Sequence, residues 1–295
     1  EAQLITAGQT SETIVDLIEE GHEVIIAHGN GPQVGQLVAT YEAAASINEN
    51  SPVMPFPECG AMSQGYIGYH LQQSIRAEMM KRGINREVAT VITQVIVDAK
   101  DPEFKNPTKP VGSFFTQEQA NKLMTEKGYT MKEDSNRGWR RVVASPLPID
   151  IVEKPIIKTL VEAGHIVITV GGGGIPVIDT GNGNLKGVPA VIDKDFASCK
   201  IAELINADLL VVLTAVEQVA INFGKSNQKN LSRITVEEVK TYIKEGQFAP
   251  GSMLPKIKAA LIFVEAKEGR KAIITSLEKA KDAIREVAGT IICVS

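Results

Sequence analysis

Cysteine, histidine, long apolar runs and surplus positive charge are all in short supply, and each shortage excludes something. Among 295 residues there are three cysteines, Cys59, Cys199 and Cys293, odd in number and widely spread. They fit neither a disulfide framework nor a cysteine-rich zinc site. They read as small buried residues of a reducing compartment, and the chain is expected to be cytoplasmic. The four histidines, His22, His28, His70 and His165, show no metal-ligand spacing and read mostly as structural or surface residues. The longest apolar runs, such as Leu209 to Leu213, are far too short to span a bilayer, so no membrane partner is expected. A formal net charge of -4 argues against a nucleic-acid-binding surface. No basic stretch followed by an apolar one marks a secretory leader.

Familiar nucleotide signatures are missing too. The stretch HGNGPQVGQ, His28 to Gln36, follows Val24-Ile25-Ile26 and carries three glycines. A dinucleotide fingerprint wants Gly-x-Gly-x-x-Gly; Gly29 and Gly31 fit, but Gly35 comes one residue late. What remains is a glycine-rich strand-to-helix turn whose backbone N–H groups can face an anion. Gly224-Lys225-Ser226 looks like the end of a P-loop, but Val219 stands where the first glycine belongs. The His-Arg-Asp and Asp-Phe-Gly loops of protein kinases are absent.

What is there is alternation, in a chain that is 43% hydrophobic and long enough for a substantial core. Strand patterns over Val24–Ala27, Val88–Val97, His165–Val170, Leu209–Thr214, Lys271–Thr275 and Thr290–Val294 alternate with helix patterns. The helices are expected around Ser11–Ile18 and over Met62–Lys81, Ile151–Ala163, Asp195–Asn206, Val236–Glu245, Lys256–Ala266 and Leu277–Val287. Near-continuous apolar strands between helices predict an α/β fold with a mostly parallel central sheet covered on both faces. Ligands in such folds sit outside the carboxyl ends of the strands. From Pro102 to Pro148 the rhythm breaks. Prolines cluster there, a Thr116-x-x-Gln119 capping box opens a short helix, and Trp139, Arg137, Arg140 and Arg141 follow. The segment reads as an inserted subdomain or lid rather than a long surface excursion.

Four motifs invite a chemical reading, and each has a plainer one. Gly171 to Gly174 end a strand; they fit an anion cradle or a turn that needs positive φ, and a second glycine turn elsewhere favours the ligand reading. Lys194 lies between Asp193 and Asp195 before a helix. The carboxylates would hold it as a cation aimed at a phosphoryl group, or one of them simply caps the helix. Ser252 is placed as an N-cap with Pro255 and Lys256 in the first turn, where the helix dipole disfavours a cation unless an anion is bound there. Lys109 stands between Pro107 and Pro110 in the lid segment and suits a lysine that closes over a reacting group.

Taken in order, HGNGPQVG, CGAMSQGYIGY, NPTKPVGSFFT, KEDSNRGWRRVV, SPLPIDIVE, GGGGIPV, AVIDKDFAS, INFGK, FAPGSMLPKI and AIITSLE make the chain similar to the carbamate kinases of the amino acid kinase superfamily. The match runs from the first residues to the last, and NPTKP and FAPGSMLPKI are its most specific parts. The resemblance implies a three-layer αβα sandwich around a sheet of about eight strands, with residues 102–148 as the protruding subdomain, and a homodimer. It implies reversible phosphoryl transfer from ATP to carbamate, giving ADP and carbamoyl phosphate, run in many members toward ATP synthesis in arginine catabolism. Lys194 would then bridge the transferring group, Lys256 neutralise the nucleotide phosphates, Lys109 reach the carbamoyl or phosphoryl end, and Asp195 orient the lysines. Gly29, Asn30 and Gly31 would line the phosphoryl pocket beside Gly171, Gly172, Gly173 and Gly174. Asp193, Ala215, Phe223 and Met253 would flank the nucleotide, with Phe223 where a tyrosine is common. Mg2+ would arrive on the nucleotide phosphates, with no protein metal site.

The family pattern opens with a strand ending in Gly-Gly-Asn. The numbered chain starts at Glu1 without that motif, and the natural start is expected to lie before it. Alternatives are another small-substrate kinase of the superfamily, against which the specific strings argue, and a regulatory domain that binds without turnover. The second is disfavoured because all three lysines are present.

Overall fold

The computed structural model describes residues 2–48, 50–134 and 136–294. Helix α1 (Ala2–Glu19) leads into β1 (Ile25–Ile26), α2 (Gly31–Ile47) and α3 (Phe56–Lys81). Strands β2 (Val88–Thr90) and β3 (Gln94–Val97) follow. Next come β4 (Lys109–Phe115), α4 (Gln117–Lys127), β5 (Met131–Glu133) and β6 (Trp139–Val143). After them stand β7 (Pro148–Ile151), α5 (Lys154–Glu162), β8 (Ile166–Ile168), β9 (Ile175–Asp179) and β10 (Leu185–Gly187). The C-terminal part holds α6 (Lys194–Leu204), β11 (Leu209–Leu213), β12 (Val219–Ile221), β13 (Lys229–Leu231) and β14 (Arg233–Thr235). It closes with α7 (Val236–Lys244), α8 (Met253–Glu265), β15 (Lys271–Thr275), α9 (Ala280–Ile284) and β16 (Thr290–Cys293).

Local chemistry explains where these boundaries depart from expectation. Helix α3 starts at Phe56, not Met62, because Pro55 is its N-cap and Pro57 falls in its first turn, where a missing N–H costs nothing. The helix expected from Ile151 starts at Lys154 instead, since Ile151 still pairs with Val95 in a ladder. The pattern over Leu277–Val287 is split into a 3-10 turn at Leu277–Lys279 and the short α9. Residues 91–93 interrupt the β-rich stretch and separate β2 from β3.

Three ladders form the body, in the orders β1-β8-β2, β10-β9-β3-β7 and β11-β15-β16-β14. Five of their pairings are parallel and three antiparallel, so the central layer is mostly parallel. It is divided into these ladders rather than continuous over about eight strands. One division falls where the chain leaves β8 through a left-handed residue, Val170, and three glycines at positive φ before it joins the next ladder as β9.

Helices cover both faces, and residue alternation shows it. In β8, Ile166 and Ile168 pack with Val15 of α1 and with Ile75 and Met79 of α3, while Val167 joins Ile157 of α5. In β15, Ala272 and Ile274 meet Ile257 and Phe263 of α8, while Ile273 meets Ala283 of α9. Each fully buried side chain of this size is worth about 1.5–3 kcal/mol. Within residues 102–148, β4, β6 and β5 form a separate antiparallel sheet with α4 beside it. The capping box at Thr116 and Gln119 is fully made. An isolated bridge between Ala144 and Ala190 ties the exit of this segment to the body. Among the described residues no helix is long and apolar enough to cross a membrane. The strand expected before Glu1 lies outside the described residues.

The seam between α3 and β2 is as tight as the chain permits. A Cβ at Gly68 would lie 2.3 Å from Thr90 Cγ2 and 2.8 Å from Thr90 Oγ1. Gly68→Ala is expected to destabilise the fold by about 1–3 kcal/mol through overpacking. Thr90 Oγ1 has no hydrogen-bond partner, so Thr90→Ala makes room at little polar cost. Urea unfolding of both single variants and the double variant checks this: the double variant should recover part of the loss, and simple additivity would contradict the clash.

Candidate active site

The motifs meet at the carboxyl ends of parallel strands. The His28–Gly31 turn follows β1, the Gly171–Gly174 turn follows β8, and Ala215 lies in the turn after β11. Between them comes the start of α6, where the Asp193 carboxylate caps the helix by accepting from Asp195 N–H at 2.9 Å.

The sequence DKD pairs outward, not inward. Neither carboxylate holds Lys194. Asp193 Oδ2 accepts from Lys109 Nζ at 2.6 Å, so a lysine at the start of β4 reaches the start of α6. Asp195 Oδ2 accepts from Lys256 Nζ at 2.8 Å, and both of these side chains are largely buried. Asp195 therefore orients Lys256, while Lys109 belongs to Asp193. Lys194 is left as a cation whose Nζ has no hydrogen-bond or ion-pair partner among the described residues. Its side chain lies over Gly29: a Cβ there would be 3.5 Å from Lys194 Cδ and 3.6 Å from Nζ. Burial pushes the Asp193 carboxyl up. The Lys109 ammonium, the Asp195 N–H and Lys256 more than offset that, and hold it below the usual carboxylate range.

The two glycine turns do different work. In the first, the N–H groups of Gly29, Asn30 and Gly31 donate to no group among the described residues. Asn30 is the N-cap of α2 but its side chain caps nothing, and Pro32 removes one donor of the first helical turn. This corner offers backbone donors beside the Lys194 ammonium, the combination an anionic oxygen needs. In the second turn three donors are committed: Gly172 N–H to His28 O, Gly173 N–H to Val170 O and Gly174 N–H to Gly171 O. Those three N–H groups are not free to bind an anion, whereas the Gly171 N–H donates to no group among the described residues. The glycines of this run serve close packing. A Cβ on Gly172 would lie 2.1 Å from the Asn30 amide carbon, and one on Gly173 would lie 2.0 Å from Ile192 O. The run is a wall that brings the first turn and the α6 segment together.

His28 is part of this wall. Its Nδ1 donates to Gly29 O at 3.0 Å, and its Nε2 lies against Gly171. Burial lowers its pKa; the Gly29 contact raises it again in part, and the neighbouring Lys194 ammonium lowers it further. Ser63, Gln64, Thr93 and Thr169, all buried, also surround the turns. Nothing in their spacing singled them out beyond the CGAMSQGYIGY string itself. Of the residues expected on the nucleotide side, Met253 opens α8 three residues before Lys256 and packs on the core. Ala215 and Phe223 lie in exposed turns, Phe223 at 70% exposure. Among the described residues no group of three or more His, Cys, Asp or Glu stands close enough to hold a metal ion.

The profile of the amino acid kinase family matches residues 4–276. A carbamate kinase of Clostridium perfringens is 60% identical over 290 residues, which cover 98% of this chain and 92% of that protein. A carbamate kinase-like protein of Escherichia coli, YqeA, is 59% identical over 96% of this chain and 91% of its own length. The solved structure of a carbamate kinase from Giardia lamblia bound to AMP-PNP is 41% identical, has a TM-score of 0.91, and matches 99% of this chain and 91% of its own. The chain belongs to the amino acid kinase family and, within it, to the carbamate kinases.

Because the folded His28 has a pKa below its ordinary value of 6.5, the unfolded chain takes up a proton there before the folded one does. Its contribution to stability is therefore full above about pH 6.5 and is lost as pH falls toward the lower folded value. Urea midpoints at about pH 7.5 and 5.5 should fall with acid, and His28→Asn should flatten that slope; an unchanged slope would contradict the assignment. The Asp193 contribution is lost only at lower pH, as its carboxylate protonates below 3.8.

Proposed function

We propose that the protein is a carbamate kinase, moving a phosphoryl group reversibly between ATP and carbamate to give ADP and carbamoyl phosphate. The observation that carries this reading is the Lys194 ammonium beside the N–H groups of Gly29, Asn30 and Gly31, none of which has a partner among the described residues, flanked by two lysines neutralised by Asp193 and Asp195. Phosphoryl transfer asks little covalent help of a protein; it needs in-line positioning and positive charge on the spreading transition state. Lys194 is the cation ready for that charge. Lys256, held by Asp195 at the start of α8, is assigned to the nucleotide phosphates, with Asp193, Ala215, Phe223 and Met253 on the nucleotide side. Lys109 is assigned to the carbamoyl or phosphoryl end, which it reaches by exchanging Asp193 for the ligand. Mg2+ carried on the nucleotide phosphates would add charge stabilisation.

The chemistry and the names of the relatives support this reading together. Our proposal extends to a cytoplasmic homodimer working toward ATP synthesis in arginine catabolism, on the strength of the family resemblance. The test mixes full-length protein with ADP, Mg2+ and carbamoyl phosphate and follows ATP through a coupled light signal. ATP formation is expected; nucleotide binding without ATP would replace the enzyme by a binding-only protein. Lys194→Ala and Lys256→Ala should each lower kcat/KM by about 100-fold to 1,000-fold, the scale of losing one charge-stabilising group. Lys109→Ala should lower kcat more than it weakens nucleotide binding. The reverse pattern would move Lys109 away from the reacting end.

A further inference from the structure

The string CGAMSQGYIGY carries two adjacent polar residues, Ser63 and Gln64, that are 0% and 1% exposed on α3. Long buried polar side chains are costly unless every group is satisfied, and here each is satisfied by one of the two glycine turns or its flank. Ser63 Oγ donates to Gly60 O at 2.7 Å, which commits its single proton. It must therefore accept from Asn30 Nδ2, 2.8 Å away, and this sets which end of the Asn30 amide faces the helix. Gln64 uses its amide as a strand would. Its Oε1 accepts from Thr93 N–H at 2.7 Å and its Nε2 donates to Thr93 O at 3.1 Å.

Thr93 passes that hold to both ends of the second turn. Its carbonyl also accepts from Ile175 N–H, just after the glycines. Its hydroxyl donates to Val91 O and accepts from Val170 N–H at 3.1 Å, just before them. With that proton spent, the Thr169 hydroxyl 2.8 Å away is the donor between the two threonines. Val170 has φ 44° and ψ 33°, a left-handed conformation that is a strained outlier for a β-branched residue. Such strain persists where the surroundings over-determine it, and the Thr93 hydroxyl does so here. The stem of Gln64 also lies against the run itself, since a Cβ on Gly171 would be 3.2 Å from Gln64 Cγ.

We propose that Ser63 and Gln64 are positioning residues for phosphoryl transfer: one helix turn clamps the donor-bearing turn at Asn30 and the packing wall at Val170–Ile175 in fixed relation under Lys194. The proposal rests on the phosphoryl-transfer reading above. Neither residue is assigned contact with substrate.

Ser63→Ala and Gln64→Met remove the hydrogen bonds at little change in volume. With ADP, Mg2+ and carbamoyl phosphate, each should lower kcat and raise the KM for carbamoyl phosphate, by about tenfold in kcat/KM, with the KM for ADP within about twofold of wild type. A purely structural role would lower active protein and melting temperature with both KM values unmoved, and that outcome, or wild-type kinetics, overturns the proposal. If Gln64→Met does not fold, Ser63→Ala, which deletes one oxygen, decides alone. Titration calorimetry with inorganic phosphate separates this proposal from the assigned reaction. Weaker phosphate binding by the variants than by wild type supports the clamp even if wild type makes no ATP. Equal binding, or none in wild type, refutes it.

Discussion

The arrangement depends on how two carboxylates share three ammonium groups. Asp193 and Asp195 flank Lys194 in sequence, yet at a helix start their side chains diverge, and each finds a lysine from a distant element. A buried carboxylate needs an opposite charge or it takes up a proton, and Asp195, 7% exposed, is matched by Lys256. The pairings tie β4, α6 and α8 to one point. They also leave the middle lysine without a partner among the described residues, so the site has net positive character where an anionic oxygen would sit. Had Lys194 been neutralised by its neighbours, the same residues would have made a structural ion cluster.

A second constraint is the division of labour between the glycine turns. Backbone N–H groups bind an anion only if the fold does not use them. The Gly171–Gly174 turn spends three of its four donors on its own 3-10 bonds and on His28 O, and lets Asn30 and Ile192 approach its backbone to distances no side chain allows. The N–H groups of the Gly29–Gly31 turn, by contrast, donate to no group among the described residues.

Much of this was legible in the residues. The alternation of apolar strands and helices implied a layered α/β fold, and Thr116 and Gln119 announced their capping box. The boundaries that slipped did so for local reasons: Pro55 and Pro57 look like breakers but start α3, and a ladder bond holds Ile151 in a strand. Lys109, Lys194 and Lys256 could be picked out one at a time, but their pairing could not, because it is set by contacts between residues 61 and 84 positions apart. The Gly171–Gly174 run suggested anion binding because glycine permits it. That three of its donors are committed depends on the carbonyls of His28, Val170 and Gly171, and no spacing connects His28 to the run. Ser63 and Gln64 stayed hidden because a buried polar helix residue has no periodic signature; its meaning lies wholly in what it touches.

The Lys109–Asp193 contact ties the separate β4-β6-β5 sheet to the body. Lys109 stands at the first position of β4, with its side chain 35% exposed, while Asp193 is 13% exposed. Solvent reaches the Lys109 end of the pair and screens part of the attraction, while the Asp193 end is largely buried. Releasing Lys109 does not strand Asp193, which still accepts from Asp195 N–H and feels the Lys256 charge. In the proposed reaction an anion next to Lys194 would compete with Asp193 for Lys109. At Gly112 strand β4 is in backbone contact distance of Gly35 on α2, where a Cβ would lie 2.9 Å away. In the proposed reaction a cation on a strand packed so closely on α2 would move from its carboxylate to a ligand oxygen by a change of its own side chain. The same carboxylate then offers it a place to return to when the ligand leaves.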